Sequence, residues 1–408
     1  MTRKSAGMIR AFPPEAGSEK DSPELPVCIH CVAVGRFERN LMTRFISELA
    51  GTLVPYVPGE QPKDKKYVKL NTNENPYPPS PAVLRAIRKE TENLRLYPDP
   101  DADAAREAAA AYYNETLSLD GDAALDRGNF FIGNGSDEIL AFIYPTFFKG
   151  KKLAFPDITY SFYPVYAALF EVDCEIFPLK EDFSMDLETL MPLPEDVAGL
   201  LLCNPNAPTG RALELAEIRR ILEANRERLI VVDEAYVDFG AETAAGLVNE
   251  YDNLLITQTL SKSRQLAGIR SGLAIGCHEL IQALDTVKNS FNSYTADRLA
   301  IAATVAAFED RDYFHSTRNT IIETRDHVTE ELRRMDFDVI ESSANFIFVK
   351  PPAKIRAEQL FTELRNRGVL VRYFNKPRIS DRLRVTIGTP EQMKTFLATV
   401  REILEECS

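Results

Sequence analysis

Between residues 151 and 277 the chain alternates unbroken apolar runs of strand length with segments of helical period, and few folds accommodate that pattern. The runs are KKLAF (151–155), GLLLCN (199–204), RLIVVDEAY (228–236), NLLITQT (253–259) and GLAIGC (272–277), with ITYSFYPVYAALF and LELAEIRRILEAN between them. A strand without polar alternation is covered on both faces, and strands separated by helices return parallel to one another. The pattern therefore predicts an α/β chain built on a mostly parallel central sheet covered by helices. Segments 279–288 and 295–309 predict two further helices, and 312–335 a long one leaving the sheet domain. Beyond it DVIES, NFIFVK, VLVRYF and LRVTIG alternate with helical stretches at 357–367 and 390–406, which predicts a smaller α+β domain. Residues 1–41 lack a sustained period, carry four prolines and are expected to be a disordered leader, with Met42 an alternative start. The expected division is then 42–90 as an N-terminal arm and part of the small domain, 91–310 as the large domain and 311–408 as the C-terminal small domain. There is no internal repeat.

Charge and special residues narrow the function classes. With 48 basic and 61 acidic side chains the net charge is −13, so the surface repels phosphate backbones and anionic lipid at long range. No stretch reaches the roughly 18–20 apolar residues of a membrane span. Neither a nucleic acid nor a membrane is expected as a partner. Six scattered cysteines do not make a disulfide framework, which points to a reducing cytoplasm. Cys28 and Cys31 form C-x-x-C around His30, but no second ligand pair lies nearby, and the four histidines form no metal-binding pair. No metal site is expected.

Chemistry-bearing residues cluster at strand ends. Thr259-Leu260-Ser261-Lys262 ends an apolar run and is followed by Arg270 in LAGIRSG. A lysine beside hydroxyls at a strand end is placed to meet a ligand at the carboxyl edge of the sheet. Asp233-Glu234-Ala235-Tyr236 ends another run, so both motifs open into one crevice. Asn204 to Gly210 (NPNAPTG) ends a third, and Gly133-Asn-Gly-Ser-Asp137 precedes the helical run Glu138–Phe148.

In this order the motifs VPYVPGEQP, LNTNENPYPPSP, LYPDP, NGSDE, NAPTG, VVDEAY, TLSK, LAGIRSG and LRVTIGT resemble the histidinol-phosphate aminotransferase family of fold type I pyridoxal-phosphate enzymes, over residues 42–408. The resemblance implies pyridoxal 5'-phosphate as cofactor. Lys262 would be the Schiff-base lysine and proton shuttle, and Asp233 would keep the pyridine nitrogen protonated, because a neighbouring carboxylate raises the pKa of a cation. Tyr236 would donate to the cofactor's phenolate oxygen and Tyr160 would stack on its ring. The phosphate would rest on the helix N-terminus at Gly135, Ser136 and Asp137, completed by Thr259, Ser261 and Arg270. Tyr97 resembles a tyrosine that reaches this phosphate from the neighbouring subunit, which implies a homodimer with shared active sites. One departure stands out: many relatives carry an asparagine before Pro-Thr-Gly, and here it is Ala207. Asn206 is the expected substitute, with Asn204, or Tyr236 acting alone, as the alternatives.

For the substrate the resemblance implies Arg384 at the carboxylate of glutamate, Arg372 at a distal anion, Asn345 and Asn75 as polar neighbours, and Tyr56 as an arm tyrosine from the partner subunit. The expected reaction is ping-pong amino transfer between L-histidinol phosphate, the small-molecule amino donor, and 2-oxoglutarate, the 2-oxo acid, in histidine biosynthesis. An aromatic amino-acid aminotransferase is the first alternative and an amino-acid-phosphate decarboxylase the second. Residues 1–41 are too short and too weakly basic for the DNA-binding module of a transcription regulator.

Overall fold

The computed structural model describes residues 44–407, so the expected leader, Met42 and the C-x-x-C pair lie outside the described residues. Contacts divide the chain after Val54; before it the described residues carry one short helix, Glu48–Thr52, whose first turn is capped by Ser47. The described residues from Pro55 onward hold thirteen strands in three sheets.

In chain order the strands are β1 (Val68–Lys69), β2 (Phe130–Gly133), β3 (Lys152–Pro156), β4 (Asp173–Phe177), β5 (Val197–Cys203), β6 (Leu229–Asp233), β7 (Leu254–Thr259), β8 (Gly272–Gly276), β9 (Asp338–Ile340), β10 (Phe346–Lys350), β11 (Val369–Leu370), β12 (Arg372–Tyr373) and β13 (Leu383–Thr386). The large sheet runs β2-β8-β7-β6-β5-β3-β4, and β8 alone opposes the common direction. Successive side chains of each strand enter different cores: Leu201, Val231 and Leu255 on one face, Leu200, Leu202, Ile230, Val232, Leu254 and Ile256 on the other. Each fully buried aliphatic side chain contributes about 1.5–3 kcal/mol, and this two-sided burial is why the runs lack polar alternation.

The predicted helices appear as His278–Phe291, Arg298–Glu309, Arg311–Arg334, Ala357–Asn366 and Pro390–Glu406, the last with the expected bounds and the others with shifts at their ends. Side-chain caps mark two of the starts. Asp297 accepts from the Ala300 N–H, and Thr389 with Gln392 forms a reciprocal box around Pro390. The second sheet, β12-β13-β10-β9, is antiparallel, whereas β1 pairs in parallel with β11. The apolar run VLVRYF is thus two strands in two sheets, broken at Val371. Arg372 lies directly opposite Arg384 across β12 and β13.

No helix of the described residues is long and apolar enough to cross a membrane, and none of them form a metal-holding cluster of His, Cys, Asp and Glu.

Candidate active site

Six strands of the large sheet share one direction, so their carboxyl ends open on one edge, where a cavity of about 220 Å³ is found. Register builds its floor. Asp233, the last residue of β6, sits between Cys203 of β5 and Thr257 of β7. It is only 2% exposed, yet both carboxylate oxygens are engaged: Oδ2 accepts from the Tyr163 hydroxyl at 2.7 Å and Oδ1 from that of Thr257 at 3.2 Å. Burial pushes its carboxyl up to about 6, and those two hydrogen bonds oppose the rise. At neutral pH a carboxylate therefore stands at the bottom of the cavity, where a cationic ring nitrogen would be favoured.

Lys262 enters from the turn after β7. Its Nζ donates to the Thr72 carbonyl at 3.3 Å and lies 5.9 Å from the Tyr236 ring centre. Desolvation first, and then the Arg384 guanidinium, hold its ammonium down at about 8. A useful fraction of the amine is then neutral near physiological pH, as a nucleophile requires. The rate at which pyridoxal phosphate attaches to cofactor-free protein should rise with pH to a midpoint near about 8 and then level off; Arg384→Gln should move that midpoint upward. A stopped-flow pH series checks it, and a rate still climbing like that of an ordinary lysine, past about pH 9.5, would contradict the assignment.

The helix Gly135–Ile143 begins at the same edge, next to β2. Gly135 has φ +79°, and a Cβ there would lie 2.6 Å from Arg270 Nη2; a Cβ on Gly272 would lie 2.6 Å from the Ser136 nitrogen. The two glycines let a free helix N-terminus and a guanidinium converge, which is an anion cup. Thr259 Oγ1 donates to Ser261 Oγ at 2.9 Å, and Arg270 Nη1 reaches the same Oγ at 3.4 Å. Asp137, an odd neighbour for an anion, accepts from Tyr160 at 2.9 Å and pairs with Arg270 at 3.4 Å. Its carboxylate thus orients the tyrosine and the arginine that line the cavity.

On the other wall Arg372 and Arg384 project side by side. Arg372 donates only to the carbonyls of Val57 and Pro58, at 3.2 and 3.4 Å. Arg384 Nη2 donates to the Asn71 carbonyl at 3.1 Å, while its Nε is buried without a partner. Neither makes an ion pair among the described residues, and like charges directly opposite are unfavourable. An anionic ligand would relieve both.

Several expected residues lie elsewhere than the sequence suggested. Asn206 is buried away from the cavity, its amide donating to the Ile158 carbonyl and Thr209. Asn204 is spent on the backbone of Leu213. Neither replaces the amide missing at Ala207. Asn75 donates to the carbonyls of Lys262 and Ser263, so it buttresses the lysine turn instead of facing substrate. Asn345 is fully buried and donates to the Asn73 carbonyl. Tyr56 stacks on Phe162 of its own chain, ring centres 4.7 Å apart, and lines its own chain's cavity. Tyr97, expected to serve a neighbouring subunit, is outside its own chain's cavity, 78% exposed and stacked on Tyr294.

Three residues with direct roles in this geometry were missed: Tyr163 and Thr257, which hold Asp233, and Asn73, whose amide donates to the Tyr236 hydroxyl at 2.9 Å. Thr257 is two residues before Thr259 on a strand, a period-2 signal that was available. The tyrosine and the asparagine carried no comparable mark.

A cavity with an anion cup at one end, a buried carboxylate at its floor and a depressed-pKa lysine between them fits pyridoxal phosphate. Comparison with known proteins agrees. The family model "Aminotransferase class I and II" matches residues 65–400. A histidinol-phosphate aminotransferase of Clostridium acetobutylicum is 51% identical over 365 residues, 89% of this chain and 100% of that protein. One of Pseudomonas putida is 51% identical over 358 residues, covering 87% and 99%. Among solved structures, the histidinol-phosphate aminotransferase of Sinorhizobium meliloti in complex with pyridoxal-5'-phosphate shares the fold, with TM-score 0.80, 21% identity and coverage of 90% and 100%.

Proposed function

The chain belongs to the class I and II aminotransferases, among the histidinol-phosphate aminotransferases, and from that premise we propose how its cavity divides the work. The enzyme transfers an amino group between L-histidinol phosphate and 2-oxoglutarate, giving imidazole-acetol phosphate and glutamate, with pyridoxal phosphate as cofactor. When bound, that cofactor supplies an aldehyde for a lysine amine and an electron-withdrawing ring. The protein supplies the rest. Lys262 would hold the cofactor covalently and, as a free amine, would be the base that takes the proton from substrate Cα. Asp233 holds a proton on the pyridine nitrogen. Tyr236, which burial keeps protonated, donates from its hydroxyl to the phenolate oxygen. Gly135, Ser136, Thr259, Ser261 and Arg270 hold the phosphate, and Asp137 orients Arg270. Tyr160 covers the ring.

The observation that carries the substrate assignment is the pair Arg372 and Arg384, opposed across two strands and without an ion pair among the described residues. Arg384 receives the carboxylate of glutamate, and Arg372 supports binding of the substrate phosphate. The aromatic face of Tyr56 and Phe162 would accept an imidazole or a phenyl ring, but phenylalanine lacks the phosphate that Arg372 awaits. A polar group built to meet a partner discriminates against ligands lacking one. With 2-oxoglutarate as acceptor, kcat/KM for histidinol phosphate should exceed those for phenylalanine and tyrosine by at least about 10²-fold. A tenfold preference for phenylalanine would reassign the enzyme to aromatic amino acids.

On this reading the large domain (91–310) carries the cofactor and the small domain (311–408 with part of 42–90) the substrate arginines. The enzyme is a cytoplasmic homodimer whose sites are shared. Exposed Leu94, Leu96, Tyr97, Phe291 and Tyr294 support that assembly as an apolar surface, and Tyr97 is the residue that reaches the partner's phosphate cup.

A further inference from the structure

We propose that Asn73 is a positioning residue that sets the direction of the Tyr236 hydroxyl proton, latched in place by Thr386. The inference rests on the cofactor assignment made above. Asn73 is 1% exposed and lies in the left-handed region at φ +56°, a conformation asparagine tolerates better than most residues. Every polar group it has is used. Its Nδ2 donates to Tyr236 Oη at 2.9 Å, and its Oδ1 accepts from the Thr386 hydroxyl at 2.9 Å. Its backbone N–H donates back to Thr386 Oγ1 at 2.9 Å, and its carbonyl accepts from Asn345 at 3.0 Å.

The chemistry follows from counting donors. A phenol has one proton and accepts through its lone pairs. Because Asn73 presents an N–H to the oxygen, the Tyr236 proton cannot point at Asn73 and is left for the cavity that Tyr236 lines. The amide orientation is not arbitrary: the Thr386 hydroxyl needs an acceptor, and Asn73 Oδ1 is that acceptor, which turns Nδ2 toward Tyr236. The latch matters here because position 207 is alanine and neither Asn204 nor Asn206 faces the cavity. Tyr236 is then the side chain left to donate to the phenolate oxygen. Thr386 also lies two residues beyond Arg384 on β13 and therefore on the same face of that strand. The donor of the cofactor side and the arginine of the substrate side are thus fixed to one strand.

The test is a spectrophotometric pH titration of the bound cofactor's visible band, with the affinity for pyridoxal phosphate measured alongside. The titratable or charged groups facing Tyr236 are Lys262, Arg384, Asp233, Cys203 and Tyr160, and all stay unchanged. Asn73→Asp keeps the shape and the backbone preference but offers only acceptors, so the tyrosine proton turns away from the cavity. The phenolate oxygen becomes more basic, and the titration midpoint should rise by about 0.4–1 pH unit, the size of one hydrogen bond. Tyr236→Phe should shift it the same way. In the Tyr236→Phe background Asn73→Asp should add little, whereas an equal shift in both backgrounds means that the new charge acts directly and overturns the proposal. Thr386→Val should reproduce part of the shift and Thr386→Ser should restore the wild-type midpoint; a Thr386→Val protein that titrates as wild type also overturns it. Should Tyr236→Phe alone leave the midpoint unmoved, the cofactor role of Tyr236 fails rather than the latch.

Discussion

Lys262→Ala is expected to lower kcat/KM by at least about 10³-fold, about 4 kcal/mol of transition-state stabilisation, and to abolish covalent retention of pyridoxal phosphate. Two functions are lost together. The amine that binds the cofactor is gone, and so is the base poised at the substrate Cα, a contribution usually about 10²–10⁴-fold by itself. The side chain makes one hydrogen bond, to the Thr72 carbonyl, so the fold should survive, and a circular dichroism melt would report that separately. Borohydride treatment of the wild type should leave the reduced cofactor on the peptide containing Lys262, and on no peptide of the variant. Lys262→Arg should be no better than alanine, because a guanidinium is never deprotonated at these pH values. A label on another lysine, or turnover within tenfold of wild type, would remove Lys262 from the mechanism.

Much of this site was legible because chemistry and strand ends coincide in the sequence. Lys262, Asp233, Thr259 and Ser261 follow apolar runs, and a parallel sheet brings the ends of such runs to one edge regardless of loop detail. What needed the structure was everything fixed by register or by backbone angle. Thr257 meets Asp233 because β6 and β7 pair Asp233 with Thr257, and no spacing rule gives that pairing. Asn71, Asn73 and Asn75 alternate in LNTNENP and look equivalent. Only the positive φ at Asn73 turns its amide to Tyr236, while Asn75 is used on the Lys262 backbone. Tyr160 and Tyr163, three residues apart, divide in the same way, one at the cavity wall and the other beneath Asp233. In VLVRYF an unbroken apolar run hid a change of sheet at Val371, and that change is what sets Arg372 against Arg384.

Asp233→Asn carries the second large expected effect, a fall in kcat of about 10–10³-fold, since an opposite charge at contact shifts a partner's pKa by about 1–3 units. The carboxylate is held by two donors, and an amide in its place would turn its own N–H toward the pyridine nitrogen or clash with a donor from Tyr163 or Thr257. Either way the proton on that nitrogen loses its counter-charge. Tyr163→Phe and Thr257→Val remove one hydrogen bond each and should cost about tenfold or less. The pH dependence separates charge from shape. In cofactor-free protein the Asp233 carboxyl is raised to about 6, chiefly by burial. It is therefore ionised above that pH and neutral below it. Acidification through about pH 6 should weaken cofactor binding to the wild type by protonating Asp233, which does reversibly what the amide substitution does permanently. The Asp233→Asn protein should bind weakly on both sides of that pH and lack this acid limb. Fluorescence titration of pyridoxal phosphate binding to both proteins from pH 5 to pH 8, about one unit below and two above the shifted value, reads the difference directly. An acid limb of equal size in both proteins would assign it to the cofactor's own ionisation and leave Asp233 without the role given to it.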